Sequence, residues 1–129
     1  MKVIDSSALI KYLAKEKGWQ EVEKHIVEEC ATLDLAIKEA GNALVKKVIK
    51  GEVSAKTADE ILKHTPKIVK IFSQEDHLSK ALEISIKYKL PLYDSLFIAL
   101  SSNIGVSLLT SDEKQAEISK ENGVTTILV

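Results

Sequence analysis

Short apolar runs alternate with longer amphipathic stretches along the chain, and this alternation predicts strands separated by helices. Strands are predicted at residues 2–5, 31–33, 68–72, 106–110 and 125–129. Helices are predicted from about residue 6 to 14 and at residues 19–29, 34–50, 54–65, 76–88, 94–101 and 112–122. Strands connected by helices favour a mostly parallel sheet with helices on both faces.

Residues that commonly begin or end helices mark several of these boundaries. Ser6 and Ser7 are predicted to cap the first helix, and Asp34 is predicted to cap the long helix that Gly51 ends. Pro66 is predicted to lie beyond the end of the following helix, because proline disrupts a helix interior.

The stretch from Asp94 to Ser101 differs from the other predicted helices because it is apolar on nearly every side. A helix of this kind is buried all round. We therefore expect it in the interior, with Asp94 at its N-terminus.

Composition describes one globular domain spanning residues 1–129, with 45% hydrophobic and 29% charged residues. The net charge of −1 excludes the overall positive field of a general nucleic-acid binder, so any contact with nucleic acid must be local. No apolar run is long enough to span a membrane and no signal peptide opens the chain, so we expect a cytoplasmic protein. The single cysteine, Cys30, is predicted to be buried, and the histidines are predicted to lie at the surface: His25, His64 and His77.

Three aspartates fall where a parallel sheet places its ligands. Asp5 ends the first strand, Asp112 follows the fourth, and Asp94 begins the buried helix. Ligands bind at the carboxyl edge of such sheets. Helix capping is the alternative for each, and it is weakest for Asp5, because two serines follow it and can provide the cap.

Glu39 joins this set from the long helix, one turn after its start. Its neighbours Ala40, Gly41 and Ala43 are small, and Asn42 shares its face. Glycine inside a helix costs about 1 kcal/mol relative to alanine, so this composition indicates close packing or a site. A surface charge paired with a neighbouring lysine such as Lys46 is the alternative.

Four carboxylates brought together raise one another's pKa unless a cation balances them. A hard divalent ion such as Mg²⁺ or Mn²⁺ prefers oxygen ligands of this type. Phosphodiester hydrolysis is the chemistry that such an arrangement favours.

The motifs resemble those of PIN-domain proteins of the VapC toxin type, in order and over nearly the whole chain. The resemblance lies in the segments Val3-Ile4-Asp5-Ser6-Ser7-Ala8-Leu9-Ile10, Glu39 with Asn42, Leu92-Tyr93-Asp94-Ser95-Leu96-Phe97-Ile98-Ala99-Leu100, Leu109-Thr110-Ser111-Asp112 and Gly123-Val124. It implies a three-layer α/β/α sandwich, an endoribonuclease that depends on Mg²⁺ or Mn²⁺, a homodimer and a cognate antitoxin protein. The metal ligands and catalytic residues that it implies are Asp5, Glu39, Asp94 and Asp112.

Further roles follow from the resemblance and from helical spacing. Ser6, Asn42 and Thr110 would orient carboxylates or water. Lys46 and Lys50 share the helical face of Glu39 and could contact RNA, although ordinary solvated lysines are the alternative. The chain contains no arginine, so a phosphate contact would lack bidentate geometry. The apolar positions Tyr12, Trp19, Val22 and Ile26 fit either core packing or an antitoxin contact.

Other functional assignments were compared with the same residues. A housekeeping RNA-processing nuclease would share the same site, and a PIN fold used only for binding would not need all four acids. A receiver domain needs an acidic pair after the first strand, where Ser6 and Ser7 stand instead. A haloacid-dehalogenase-like phosphatase needs a second aspartate at the position of Ser7, and no glycine pattern approaches a P-loop. The sequence does not identify the RNA that is cut or the number of metal ions.

Overall fold

The computed structural model describes all 129 residues and contains five strands, seven α-helices and one 3₁₀ turn. The strands are β1 (Lys2–Ile4), β2 (Cys30–Leu33), β3 (Val69–Phe72), β4 (Ser107–Thr110) and β5 (Thr126–Leu128). The helices are α1 (Ser6–Leu13), α2 (Trp19–Ile26), α3 (Asp34–Ile49), α4 (Ala55–Ile68), α5 (Leu78–Tyr88), α6 (Leu92–Ile104) and α7 (Glu113–Glu121), and the 3₁₀ turn Gln74–His77 precedes α5.

All strand pairs are parallel, and the sheet order is β3-β2-β1-β4-β5. Because crossovers between parallel strands are right-handed, α1 to α4 cover one face and α5 to α7 cover the other. The predicted three-layer α/β/α sandwich is confirmed. The chain builds outward from β1 in one direction and from β4 in the other, so the carboxyl ends of these two strands form the switch point where such sheets bind ligands.

The core lies on both faces of the two central strands. Ile4 on β1 and Leu109 on β4 are inaccessible to solvent, and every residue of α6 from Ser95 to Ser101 is buried. The prediction of an all-round buried helix is confirmed. Its burial fixes the end of the helix that carries Asp94 close to the switch point.

Several predicted helix boundaries differ from those in the structure. Pro66 lies inside α4, which continues to Ile68; it removes one backbone donor near the helix end, while the Thr65 hydroxyl donates to the Ile61 carbonyl at 2.9 Å. The buried helix α6 begins at Leu92 rather than at Asp94, because Pro91 with φ of −58° suits the position before a helix.

Asp34 is the first residue of α3 rather than its cap. Its Oδ1 accepts a hydrogen bond from the Gln74 backbone N–H at 3.1 Å, as well as one from its neighbour Leu35. The carboxylate therefore ties the start of α3 to the turn that follows β3, a contact between segments distant in sequence.

The predicted surface position of the histidines fails for His77, which is 7% exposed. The turn that carries it packs against α6, and its Nδ1 lies 2.7 Å from Asn103 Nδ2. His25 is half-buried and only His64 is exposed.

Cys30 is buried as predicted, and burial raises the pKa of its thiol to about 11. None of the helices combines the length and apolar character needed to span a membrane.

Candidate active site

A cavity of about 210 Å³ opens at the carboxyl edge of the sheet, beside the switch point between β1 and β4. All four acids predicted from the sequence line it: Asp5, Glu39, Asp94 and Asp112. They come from the end of β1, from α3, from the first turn of α6 and from the start of α7. The remaining lining residues are Ser6, Ser7, Ile10, Phe97 and Gln115.

Asp5 lies at the bottom of this cavity and is 1% exposed. Its Oδ1 accepts hydrogen bonds from the Ser7 hydroxyl at 2.7 Å and from the Ala8 backbone N–H at 2.9 Å. Its Oδ2 accepts one from the Thr110 hydroxyl at 2.5 Å. Burial raises the pKa of Asp5 to about 6, although these three hydrogen bonds lower it; the charge of Asp112 raises it slightly.

Ser7 connects the ends of β1 and β4, a role that the sequence did not indicate. Its hydroxyl donates to Asp5 and accepts from the Ser111 backbone N–H at 3.0 Å. Thr110 in turn donates to Asp5 and accepts from the Asp112 backbone N–H at 3.0 Å. The two hydroxyls therefore hold the Asp5 carboxylate and the backbone leading to Asp112 in one network.

Glu39 points into the cavity from α3, where its Oε1 accepts a hydrogen bond from the Ser6 hydroxyl at 2.7 Å. The small residues around it serve packing: a Cβ on Gly41 would lie 3.4 Å from Leu62 Cδ2 on α4. Asn42 is exposed and makes no side-chain hydrogen bond, although it lines the adjoining groove.

Asp94 accepts no hydrogen bond on its carboxylate. Burial raises its pKa, the charges of Asp112 and Glu39 raise it further, and Lys114 is the only positive group that lowers it. Nearby, Gln115 is 3% exposed and its Nε2 donates to the Asp94 carbonyl at 2.9 Å. The pattern Asp112-Glu113-Lys114-Gln115 resembles a capping box, but this spacing alone does not direct the amide toward α6.

The structure shows which of the predicted residues cap a helix, and the result differs from the sequence prediction. Asp5 caps α1 through the Ala8 N–H, and Asp112 caps α7 through the Gln115 N–H at 3.0 Å. Asp94 caps no helix, because α6 begins before it. Ser6 and Ser7 do not cap α1, since their hydroxyls bond to Glu39 and Asp5 instead.

The four carboxylates line the cavity but do not converge on a single point. No three His, Cys, Asp or Glu side chains approach closely enough to hold an ion as they stand. However, the hydrogen bonds leave Oε2 of Glu39, Oδ2 of Asp112 and both carboxylate oxygens of Asp94 without a partner. These four atoms are carboxylate oxygens, the donors that hard divalent cations prefer, so the residues fit such an ion.

A groove of about 410 Å³ adjoins the cavity along α3. Lys46 and Lys50 line it together with Glu39 and Asn42, as their helical spacing predicted. Lys47 also borders it and forms an ion pair with Glu52 at 3.3 Å.

The apolar positions of α2 pack mainly into the core, since Val22 and Ile26 are buried. Trp19 is half-buried and its ring lies 6.2 Å from that of Tyr12, with Lys15 Nζ 4.0 Å from both ring centroids. Core packing, rather than a free stripe, therefore accounts for most of this surface.

The chain is similar to several known proteins over nearly its full length. The PIN domain model matches residues 2–121. Ribonuclease VapC3 from Pyrobaculum aerophilum is 31% identical over 120 residues, which cover 89% of this chain and 92% of that protein. Exonuclease VapC9 from the same organism is 32% identical over 128 residues, which cover 98% and 92%. The crystal structure of PAE2754 from Pyrobaculum aerophilum superposes with a TM-score of 0.75 at 30% identity, covering 97% of this chain and 82% of that one. The resemblance predicted from the ordered motifs is confirmed, and the chain belongs to the PIN domain family and to the VapC proteins within it.

Proposed function

We propose that this protein is a ribonuclease that hydrolyses RNA phosphodiester bonds with Mg²⁺ or Mn²⁺. The observation that carries the proposal is the convergence of Asp5, Glu39, Asp94 and Asp112 on one cavity with little positive charge among them. Four carboxylates without a compensating cation are costly to hold together, and a bound divalent ion removes that cost. The similarity to Ribonuclease VapC3 supports RNA as the substrate.

The four acids would hold the ion, and when bound it would activate a water and stabilise the leaving oxygen. The surrounding residues prepare the acids for this role. Ser7 and Thr110 fix the orientation of the Asp5 carboxylate, and Ser6 fixes one oxygen of Glu39. Since Gln115 binds the Asp94 carbonyl, it also holds the first turn of α6 against α7.

The experiment measures cleavage of single-stranded RNA by the purified chain with Mg²⁺, with Mn²⁺ and with EDTA. Cleavage should require a metal, and Asp5→Asn and Asp94→Asn should each abolish it. Asp59→Asn, an exposed aspartate on α4, is the matched control and should cleave normally. Cleavage in EDTA, or normal cleavage by Asp94→Asn, would contradict the proposal. No cleavage with either metal would favour a PIN fold used only for binding.

The mode of cutting has two candidates, because one relative is named an exonuclease. We propose endonucleolytic cutting, since the groove beside Glu39 has room for a strand to continue past the site. A covalently closed RNA circle separates the two modes. An endonuclease linearises the circle, whereas an exonuclease leaves it intact and degrades only the linear form.

Lys46 and Lys50 are proposed to contact the RNA backbone along this groove. Each phosphate contact contributes to affinity and to its dependence on salt. The double variant Lys46→Glu with Lys50→Glu should bind RNA at least about tenfold more weakly, with a shallower salt dependence. The double variant Lys56→Glu with Lys67→Glu, which changes two exposed lysines on α4 and the same amount of charge, is the control. Equal weakening by both variants would indicate a general effect of charge rather than a path along α3.

We further propose that the protein acts in the cytoplasm as the toxin of a toxin–antitoxin pair and forms a homodimer. The membership among VapC proteins supports this assignment. A small gene immediately upstream should encode a protein that blocks RNA cleavage at a stoichiometric ratio. If no neighbouring product inhibits cleavage and expression of the active chain leaves growth unchanged, a housekeeping RNA-processing nuclease is the better assignment.

A further inference from the structure

Tyr93 is the only exposed aromatic residue of the chain. It lies in the first turn of α6 and is 60% exposed, whereas every other phenylalanine, tyrosine and tryptophan is buried or half-buried. Its ring does not pack against another ring of the chain. Because Asp94 follows it directly, this free aromatic ring belongs to a residue at the border of the candidate active site.

Lys114 is an exposed positive charge beside the same cavity. It is the second residue of α7 and lies between Asp112 and Gln115, which both line the cavity. Lys114 forms no ion pair within the chain, and its charge is close enough to lower the pKa of Asp94. A positive charge in the first turn opposes the helix dipole, and residues that oppose local structure are expected at functional sites.

The first turns of α6 and α7 are joined at this border, where the Gln115 side chain donates to the Asp94 carbonyl at 2.9 Å. Tyr93 precedes Asp94 and Lys114 precedes Gln115, so the two exposed residues flank one hydrogen bond; together they are called the α6–α7 rim. The groove along α3 adjoins the cavity from the other side, because α3 and α7 cover opposite faces of the sheet. A strand that leaves this groove and crosses the cavity therefore reaches the rim.

We infer that the α6–α7 rim binds the RNA beyond the cleaved bond, with one base stacked on Tyr93 and a neighbouring phosphate held by Lys114. The inference rests on the proposed ribonuclease function, since it assigns a path to the strand that the four acids would cut. Both residues bind substrate and take no part in the chemistry. Because every base has an aromatic face, the rim would hold the strand without selecting its sequence.

The balance of charge at this border favours RNA as the occupant. RNA carries one negative charge per nucleotide, and a divalent ion held by the acids would neutralise the phosphate that is cut. The next phosphate needs a separate positive partner, and Lys114 offers one without breaking an ion pair. An aromatic ring beside a positive charge is the combination that proteins use to bind single-stranded nucleic acid.

The test of the stacking contact measures binding of a short single-stranded RNA in Mg²⁺. All variants carry Asp5→Asn, so that the bound RNA stays intact. Adding Tyr93→Ala should weaken binding about tenfold, whereas Tyr93→Phe should stay within about twofold of the parent because it keeps the ring. Val27→Ala, an exposed position before the amino end of β2, is the control and should bind as the parent does.

The test of the phosphate contact measures the same binding at several salt concentrations. Lys114→Gln should reduce the slope of log affinity against log salt by about 0.7, the value for one phosphate contact on a single strand. Lys120→Gln, an exposed lysine near the other end of α7, should leave the slope unchanged. Urea unfolding should find Lys114→Gln at least as stable as its parent, because the change relieves the helix dipole, so unfolding cannot explain weaker binding.

Cleavage by the chain with native Asp5 separates this inference from the proposed function. Tyr93→Ala and Lys114→Gln should each raise KM for RNA and leave kcat nearly unchanged, as expected for contacts remote from the reacting bond. Normal cleavage with no effect of either variant would overturn the inference alone. So would Tyr93→Phe binding as weakly as Tyr93→Ala, equal salt slopes for the two lysine variants, or no RNA binding at all. A chain that binds RNA through the rim but cleaves none would instead overturn the proposed function.

Discussion

Replacing Asp5 with asparagine should abolish RNA cleavage and at the same time stabilise the metal-free fold. Asp5 is 1% exposed, and burial raises its pKa from 3.8 to about 6. Asparagine keeps the shape and satisfies the same partners: its oxygen can accept from Ala8 and Ser7, and its amide can donate to the Thr110 hydroxyl. The substitution therefore removes a buried charge while a hydrogen bond to each of the three present partners can still form.

The magnitude follows from proton linkage. Below pH 3.8 the Asp5 carboxyl is protonated in both the folded and the unfolded chain, so it does not affect stability. Between pH 3.8 and about 6 the unfolded chain releases its proton first, so the free energy of unfolding falls as the pH rises. Above that range the decrease is complete and amounts to about 3 kcal/mol. Asparagine does not titrate and avoids this loss.

The assay is urea unfolding in EDTA, with wild type and Asp5→Asn compared at about pH 4 and about pH 8. The variant should gain up to about 3 kcal/mol over the wild type at the higher pH and much less at the lower pH. Added Mg²⁺ should then stabilise the wild type more than the variant. Val27→Ala, an exposed control without a titrating group, should change the free energy of unfolding equally at both pH values. A variant less stable than the wild type at both pH values, or an equal difference at both, would refute the reasoning.

Further predictions concern the hydrogen bonds and the core. Thr110→Val removes a hydrogen bond that lowers the pKa of Asp5, so a carboxyl NMR titration in EDTA should find that pKa above about 6; an unchanged or lower value would contradict the network. Ile98→Ala, at a fully buried position of α6, should lower the free energy of unfolding by about 3 kcal/mol, whereas the exposed Val27→Ala should change it by less than about 0.5 kcal/mol. Ser54→Ala removes the hydroxyl that accepts from Thr57 N–H at the start of α4 and should cost about 1 kcal/mol in the same unfolding measurement; no loss would show that this cap is not needed.

Much of the fold and of the candidate site could be predicted because local sequence patterns determine the secondary structure and its order. Apolar periodicity identified the strands and the buried helix α6, and alternation of strands with helices implied the parallel sheet. The approach of Asp5 and Asp112 to one cavity follows from the same geometry, because parallel strands present their carboxyl ends at one edge. Asp94 was placed there by its position at the start of the buried helix, whereas Glu39 depended most on the family resemblance, since a residue inside a helix can face in any direction.

Contacts between distant segments were beyond local patterns. Ser6 and Ser7 suited a helix cap by type, yet the fold brings Glu39 and Thr110 within reach of their hydroxyls, and Asp5 becomes the cap instead. His77 appeared polar and exposed, but the turn that carries it packs against α6. In each case residue type limits which bonds a side chain can make, whereas the partner it meets depends on how the layers pack. The sequence by itself thus determined the elements and the acids, and only the tertiary structure decided which groups hold those acids in place.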